Sequence, residues 1–304
     1  MKVVVLGAGA VGAYYGGMLA RAGNEVTCYA RGANLAALRD HGLEIRASEG
    51  TLRVPLGATD WVDELPPADF AILGVKSYSL EAIAPALRHC ADLGATIVPL
   101  LNGVEIVERL VQLGVRPDAV IGGLTRISVV RAAPGVVQKF GGLQSIIIGE
   151  LDGRLSERVE RIAEAFREAG VETRATEQIE LELWRKFVMI TTMAAACGLA
   201  RATVGSLRDR PLGRRLVQRA VYEVVAVGRA RGIPFPADEE ARAMSLIDSL
   251  GPELKPSFLV DLEAGGPTEL DFLSGTVSRF AAELGIETPV HDTATAALAD
   301  VNRS

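Results

Sequence analysis

The chain has 304 residues, of which 49% are hydrophobic and 23% charged, the balance of an ordinary globular protein with material for about two domains. Its formal net charge of −6 at pH 7 argues against a surface that binds nucleic acid or an anionic membrane. No uncharged apolar stretch reaches the roughly 18 residues that a membrane span requires. The cysteines, Cys28, Cys90 and Cys197, form no CxxC pair, which favours a reducing, cytoplasmic location.

The first predicted elements are a buried strand at Lys2–Leu6, a glycine-rich turn, a helix, and a second strand at Glu25–Ala30. The turn consists of Gly7, Ala8, Gly9, Ala10, Val11 and Gly12. In a dinucleotide fold, Gly7 would make the tight turn, Gly9 would let the backbone approach a pyrophosphate, and Gly12 would let the helix pack on the strand. The pattern therefore predicts a dinucleotide site with phosphates at the helix N-terminus, and not a signal peptide.

The end of the second strand bears on the choice of dinucleotide. Sites that prefer NAD usually carry Asp or Glu about 20 residues after the glycine turn, where it binds the ribose 2′-hydroxyl. Here the sequence reads Thr-Cys-Tyr-Ala-Arg-Gly at 27–32, with Arg31 in that place and no acid. A guanidinium binds a 2′-phosphate that a carboxylate would repel, so NADP(H) is predicted over NAD. A solvated arginine at a strand end is the alternative.

The alternation of strands and helices continues through the first half. An inserted hairpin is predicted at Leu43–Arg46 and Leu52–Val54. Further strands are predicted at Phe70–Val75, Thr96–Leu101, Val120–Leu124, Val136–Phe140 and Ile146–Gly149, and helices at Leu80–Leu87, Ile106–Leu113 and Leu151–Gly170. Such alternation indicates a parallel, doubly wound sheet with its ligand at the carboxyl ends of the strands. Lys76 and Asn102 follow two of these strands and are candidate ligand contacts, although simple turn residues are the alternative.

Long helical periods replace the strand signals from about residue 179. Helices are predicted at Leu181–Leu199, Arg215–Arg231, Glu239–Asp248, Thr268–Leu284 and His291–Asn302. The predicted fold class is therefore α/β, with a Rossmann-type, doubly wound N-terminal domain over residues 1–177 and an all-helical C-terminal domain over residues 178–304.

Two charged residues of the helical half are candidates for chemistry. Lys186 lies near the start of a long apolar helix, where an ammonium group is partly desolvated and can be tuned toward proton donation. Taken alone, such a lysine is more often a surface residue whose stem covers apolar atoms. Glu269 begins another predicted helix and could hold Lys186 charged, with a capping or solvated carboxylate as the alternative. The three histidines show no metal-ligand spacing, so no metal is predicted.

Together these stretches resemble the ketopantoate reductase (2-dehydropantoate 2-reductase) family over essentially the whole chain. The matches are GAGAVG at 7–12, ARG at 30–32, VK at 75–76, LLNGV at 100–104, LWRKF at 183–187, TVG at 203–205 and PSFLVDLEAGGPTELDFLSG at 256–275. The last stretch is the most specific, because its order is hard to meet by chance. The resemblance implies NADPH-dependent reduction of a 2-oxo acid in pantothenate and coenzyme A biosynthesis, in a cleft between the two domains. A homodimer is implied by the family alone.

The resemblance also assigns roles to individual residues. It implies that Lys186 is the proton donor, that Asn102 contacts cofactor and substrate, and that Glu269 is an active-site carboxylate. It further implies a substrate contact for Ser257 and cofactor contacts for two cations, Arg31 and Lys76.

The sequence departs from the family pattern on the helix that carries Lys186. The family usually has asparagines four and eight residues after the lysine, where they bind the substrate, and this chain has Ile190 and Ala194. Each buried polar group of ketopantoate left unpaired would cost about 1–3 kcal/mol. A 2-oxo acid with a more apolar side chain is therefore an alternative substrate. A non-catalytic NADP(H) sensor and a 2-hydroxy acid dehydrogenase working in the oxidative direction are the remaining alternatives.

Overall fold

The structure is a computed structural model that describes residues 1–299, so the end of the helix predicted at His291–Asn302 lies outside the described residues. The chain forms two compact units. The first comprises Met1–Leu101 and Ile106–Ile179, and the second comprises Asn102–Glu105 and the chain from Glu180 onward. Among the described residues, no helix is long and apolar enough to cross a membrane.

The first unit is built from strands and five helices. Its strands are β1 (Lys2–Leu6), β2 (Glu25–Tyr29), β3 (Leu43–Ala47), β4 (Gly50–Val54), β5 (Gly57–Thr59), β6 (Phe70–Leu73), β7 (Thr96–Pro99), β8 (Gly122–Ala133), β9 (Val136–Gly149) and β10 (Glu172–Ala175). Its helices are α1 (Ala10–Arg21), α2 (Gly32–His41), α3 (Leu80–Asp92), α4 (Ile106–Gln112) and α5 (Glu157–Glu168).

One sheet of the first unit is parallel and has the strand order β5-β2-β1-β6-β7. This is the nucleotide-binding architecture that the sequence predicts. β1 lies at its centre, with Val3 paired to Val26 of β2 and to Phe70 of β6. Val3, Val26 and Phe70 are buried, as expected for strands covered on both faces by helices. The predicted Rossmann-type fold class is therefore confirmed.

A second sheet, which the sequence analysis did not predict as such, has the order β10-β9-β3-β4, with β8 paired to β9. The predicted hairpin of β3 and β4 is present in it. The three short strands predicted between 120 and 149 are wrong in extent, because β8 and β9 form one long antiparallel hairpin with irregularities between Ile127 and Ser128 and between Arg131 and Ala133. Bulges of this kind let a long strand bend without ending.

The helix predicted at Leu151–Gly170 begins later, at Glu157. Ser156 caps it by accepting a hydrogen bond from the backbone N–H of Val159, and the preceding residues form a turn. A helix start at a capped serine is favoured because the hydroxyl satisfies an N–H that lacks a helical partner.

The second unit is helical, as predicted. It contains α6 (Ile179–Ala200, whose first residue belongs to the first unit), α7 (Val204–Arg208), α8 (Pro211–Ala230), α9 (Glu239–Ser249), α10 (Ser257–Glu263), α11 (Ser274–Leu284) and α12 (Pro289–Leu298). The sequence analysis missed the short α7 and α10. The single helix predicted at Thr268–Leu284 is wrong, because a 3₁₀ turn at Leu270–Phe272 is followed by Leu273 in a non-helical conformation before α11 begins.

Aromatic packing organises the core of this unit around Trp184 of α6. Its ring stacks on Phe280 of α11 at 6.3 Å between centroids and meets Phe187 edge-on at 5.6 Å. Such pairs add about 0.5–1.5 kcal/mol beyond the area they bury. They fix the rotation of α6, and therefore which of its residues face the core.

His291, at the start of α12, is fully buried and hydrogen-bonded on both ring nitrogens. Its Nε2 lies 3.2 Å from the carbonyl oxygen of Ala220, which can only accept, so Nε2 carries the proton. Its Nδ1 then accepts from the Ser274 hydroxyl at 3.2 Å. The Glu223 carboxylate accepts from the backbone N–H of His291 at 3.1 Å. Burial lowers the pKa of His291 to about 4.

We expect the stability of the protein to fall on mild acidification through His291. The unfolded state takes up a proton near the ordinary pKa of about 6.5, whereas the folded state resists it down to about 4, so stability is lost as the pH falls through this window. Between about pH 7 and about pH 5 the free energy of unfolding should drop by about 2 kcal/mol more in the native protein than in His291→Gln. Urea unfolding at the two pH values measures this difference, and equal drops in both proteins would contradict it.

Candidate functional site

The glycine-rich turn between β1 and α1 is a close-packed piece of backbone. Gly7 has φ +94°, and a Cβ there would lie 2.3 Å from Val75 Cγ1. A Cβ on Gly12 would lie 2.2 Å from the carbonyl oxygen of Gly7. No side chain fits at such distances, so this crossing of helix and strand requires glycine at both positions.

Gly9, between these two positions, is different because the protein leaves room beside it. Its φ of −76° is open to any residue, and a Cβ there would meet only Gly74 O, at an ordinary 3.5 Å. The first turn of α1 has no side-chain cap and no acidic residue, so no carboxylate of that turn offsets the partial positive charge of its N–H groups. This arrangement fits the pyrophosphate of a dinucleotide.

Arg31 lies at the carboxyl end of β2 and is the residue that precedes α2. Its side chain is exposed, and its Nη2 donates to the Tyr29 hydroxyl and to the Ala82 carbonyl, both at 3.2 Å. The guanidinium also lies over the Tyr29 ring, 5.4 Å from its centroid. The first turn of α2 contains no acidic residue. These contacts hold a cation at the place where an NAD site usually has an acid.

Lys76 occupies the corresponding place after β6. It is half-buried, and its carbonyl accepts from Ser79 N–H at 2.9 Å, which closes a 3₁₀ turn. Since β2, β1 and β6 are parallel neighbours, Arg31, the glycine turn and Lys76 follow the carboxyl ends of three adjacent strands. This is the edge where parallel sheets bind nucleotides.

Asn102 and Glu269 are brought together within the second unit. Asn102 Nδ2 donates to Glu269 Oε2 at 3.1 Å, across 167 residues of sequence. Asn102 is half-buried and Glu269 is buried. The same short segment is fastened again through Glu105, which accepts from the Thr276 hydroxyl and from Arg279 Nη2, each at 2.6 Å. The sequence did not predict that residues 102–105 would belong to the helical unit.

Lys186 is buried on α6, with only 9% of its surface exposed. Its helix neighbours Trp184 and Phe187 belong to the aromatic core, so the interpretation as an ordinary surface lysine is wrong. Burial of an ammonium group costs free energy unless polar groups surround it. Buried ammonium groups are therefore concentrated at functional sites.

The helix turns that follow Lys186 are apolar. Ile190 is half-buried and packs against the core, Ala194 is buried, and Cys197 is fully buried. Burial raises the pKa of the Cys197 thiol to about 12, so it stays protonated at neutral pH and is no nucleophile. The hydroxyls of Thr191 and Thr192 are buried and have no hydrogen-bond partner among residues 1–299.

Ser257 is the first residue of α10, and it is exposed. No hydrogen bond within the described chain joins it to another predicted site residue. Ser274 is fully buried and bonded to His291, so its hydroxyl belongs to the core. No group of three or more metal-ligating side chains occurs among the described residues.

One residue of this region was missed by the sequence analysis. Asn34, in the first turn of α2, donates from Nδ2 to Ala8 O and accepts at Oδ1 from the N–H of Gly135, both at 2.9 Å. It therefore links the glycine turn to the β8–β9 hairpin. Nothing in the local sequence signals this role, because both partners are distant in the chain.

Two family models match the chain. "Ketopantoate reductase PanE/ApbA" matches residues 3–153, and "Ketopantoate reductase PanE/ApbA C terminal" matches residues 178–302. The chain is also similar to a 2-dehydropantoate 2-reductase of Halobacterium salinarum, with 34% identity over 95% of each sequence.

Solved structures show the same fold. A PanE/ApbA family ketopantoate reductase from Ralstonia eutropha matches with a TM-score of 0.90 and 28% identity, covering 100% of this chain and 99% of that one. The ternary structure of D-mandelate dehydrogenase with NADH and anilino(oxo)acetate matches with a TM-score of 0.89 over 100% of this chain and 98% of that one. At 23% identity, this second likeness concerns the fold alone.

The two glycines of the turn should respond differently to the same substitution. Gly12→Ala places a methyl group against Gly7 O, and should lower the free energy of unfolding by about 1–3 kcal/mol. Gly9→Ala should cost less than about 1 kcal/mol, because the folded protein has space for the methyl group. It should nevertheless weaken dinucleotide binding about 10-fold or more, since the methyl group fills the space over the helix end.

Urea unfolding and nucleotide titration, done on both variants, separate these effects. Unimpaired binding by Gly9→Ala would show that no phosphate lies against this turn.

Proposed function

The chain belongs to the ketopantoate reductase family of oxidoreductases, and we propose that it uses NADPH to reduce the ketone of a 2-oxo acid to the 2-hydroxy acid. The observation that carries the proposal is the burial of Lys186, in the unit that also holds the Asn102–Glu269 hydrogen bond. A reductase must supply a proton to the oxygen that receives negative charge, and a lysine withdrawn from water suits that task.

The first unit supplies the residues that bind the dinucleotide, whose nicotinamide provides the hydride when bound. The turn from Gly7 to Gly12 and the N–H groups of α1 bind the pyrophosphate. Arg31 binds the ribose 2′-phosphate and thereby favours NADP(H) over NAD(H). Lys76 neutralises further negative charge at the same edge of the sheet. The absence of an acid from the first turn of α2 supports this preference, because a carboxylate there would repel the 2′-phosphate.

Lys186 polarises the substrate carbonyl and donates a proton from Nζ to its oxygen as that oxygen gains charge. Because the side chain is 9% exposed, little water competes for the ammonium group. An ammonium group binds a developing alkoxide more strongly than it binds a neutral ketone. The interaction therefore grows toward the transition state, which is the condition for accelerating the chemical step.

Asn102 orients the ligands, and Glu269 fixes Asn102. The hydrogen bond to Glu269 uses one N–H of the amide. It thereby fixes the direction of the second N–H and of the amide oxygen. A ligand that needs a donor and an acceptor at fixed positions can be recognised in this way. Ser257, exposed at the start of α10, donates its hydroxyl to the substrate carboxylate.

Ile190 and Ala194 shape the substrate preference. They present hydrocarbon where the family usually has amides, so the 4-hydroxyl of ketopantoate would lose partners worth about 1–3 kcal/mol each. This favours a 2-oxo acid with an alkyl or aromatic side chain over ketopantoate. A place in pantothenate and coenzyme A biosynthesis follows only if ketopantoate proves to be the preferred substrate.

Loss of NADPH absorbance in the presence of a panel of 2-oxo acids tests the proposal. The panel contains ketopantoate, 2-oxoisovalerate, 4-methyl-2-oxopentanoate and phenylglyoxylate, the last because mandelate dehydrogenase shares this fold. We expect turnover, with the apolar acids preferred, and a fall in kcat of about 10²- to 10⁴-fold in Lys186→Ala. The dissociation constant of NADPH should be unchanged in that variant.

Lys255→Ala is the matched control, since Lys255 is an exposed lysine of the same unit, ion-paired with Glu263. It should keep the native kcat. Full activity of Lys186→Ala would show that Lys186 is not the proton donor. Tight NADPH binding without turnover of any acid would favour the non-catalytic sensor, and turnover only of 2-hydroxy acids with NADP⁺ would favour the oxidative direction.

A further inference from the structure

A pocket of about 400 Å³ lies between the start of α2 and the end of β8, within the first unit. Arg31, Ala33 and Asn34 line it on the helix side, and residues 131–134 line it on the hairpin side. Small-molecule sites have volumes of about 300–1,000 Å³, so the pocket can hold part of a nucleotide. Its lining includes two arginines, Arg31 and Arg131, and no acidic residue.

The hairpin side of the pocket is held in place by specific contacts. The N–H of Gly135 donates to Asn34 Oδ1 at 2.9 Å, and the carbonyl of Gly135 accepts from the N–H of Glu44 at 2.8 Å. Gly135 has φ +69°, and a Cβ there would come within 3.0 Å of Ala37 Cβ on α2. The end of the hairpin is therefore fixed against both α2 and β3.

The same asparagine ties the pocket to the glycine turn. Asn34 Nδ2 donates to Ala8 O at 2.9 Å, so the hairpin end and the predicted pyrophosphate site share one anchoring side chain. A dinucleotide whose pyrophosphate lies at α1 extends its adenosine ribose toward the end of β2. The ribose 2′ position would then lie near Arg31, which lines the pocket.

A β-irregularity lies next to Arg131. The pairing of β8 with β9 shifts between Arg131 and Ala133, and bulges of this kind re-aim a side chain relative to the regular strand. Arg131 is exposed and lines the pocket. Arg31 meanwhile has its Nη2 engaged by Tyr29 and Ala82, so a dianionic group in the pocket gains from the second guanidinium that lines it.

We propose that Arg131 binds the ribose 2′-phosphate together with Arg31, and that the pocket between them is the specificity site for NADP(H). The inference rests on the proposed use of NADPH and adds a residue from the second sheet to it. Two guanidinium groups match the two charges of a phosphomonoester. A nucleotide without the 2′-phosphate gains nothing from Arg131.

Two ligands that differ only in the 2′-phosphate, adenosine 2′,5′-bisphosphate and 5′-AMP, provide the test. Titration calorimetry on the full chain should show that the native protein binds the bisphosphate more tightly than 5′-AMP. Arg131→Gln should weaken binding of the bisphosphate about 10- to 100-fold and leave the affinity for 5′-AMP unchanged. Arg131→Lys should lie between the native protein and Arg131→Gln. Arg154→Gln, which removes an exposed guanidinium outside the pocket, should match the native protein.

The outcomes separate this inference from the proposed function. If Arg31→Gln loses the bisphosphate preference while Arg131→Gln keeps it, Arg131 has no such role, although the preference for NADP(H) stands. If the native protein binds both nucleotides equally, the preference for NADP(H) and the role of Arg131 are both overturned. If the native protein binds neither, the proposed dinucleotide-dependent function fails, and this inference fails with it. Unfolding curves verify that each variant is folded.

Discussion

The hydrogen bond between Asn102 and Glu269 is the constraint on which the candidate catalytic arrangement depends. Asn102 follows β7 by only a few residues, and the bond nevertheless places it with the helical unit rather than with the sheet. Glu105 repeats the attachment through Thr276 and Arg279. Both attachments use charged acceptors, which form hydrogen bonds of about 1.5–3 kcal/mol, so they hold the segment firmly to the helical unit. A residue near a strand end is thereby made part of a helical site.

The burial of Lys186 is the second constraint on the candidate site. An ammonium group withdrawn from water requires polar surroundings, a requirement that a leucine at the same position of α6 would not have. The aromatic contacts of Trp184 with Phe187 and Phe280 hold α6 in the rotation that keeps the lysine buried. Ile190 and Ala194 continue the same helix face with apolar side chains, so the lysine is the polar end of that face.

The parts of the fold that are local in sequence could be predicted from it. The apolar strand β1 is followed directly by the turn that requires glycine at Gly7 and Gly12. These neighbouring features identify the nucleotide-binding architecture. The β8–β9 hairpin was predicted as separate short strands, whereas the pairing of β8 with β9 resumes on the far side of an irregularity at residues 141–143. The break before α11 at Leu273 was likewise hidden inside a continuous helical pattern.

The site was predictable as a set of residues and not as a set of contacts. Lys186, Asn102 and Glu269 were identified from motifs, but neither the burial of the lysine nor the bond across 167 residues follows from spacing. Asn34 and Arg131 carry no motif at all. Their significance comes from a link between the glycine turn and a hairpin about 100 residues away, which only the folded chain creates.

Transfer of deuterium to the product from NADPH deuterated at C4, used separately as the 4R and the 4S form, tests the central claim most directly. The native protein is incubated with the deuterated cofactor and the best 2-oxo acid of the panel, and the 2-hydroxy acid is analysed by mass spectrometry and NMR. The account predicts deuterium at C2, delivered from one face of the nicotinamide, and no such product with Lys186→Ala at comparable times. A 2-hydroxy acid that carries solvent hydrogen at C2, or no reduced product with any acid, would contradict it.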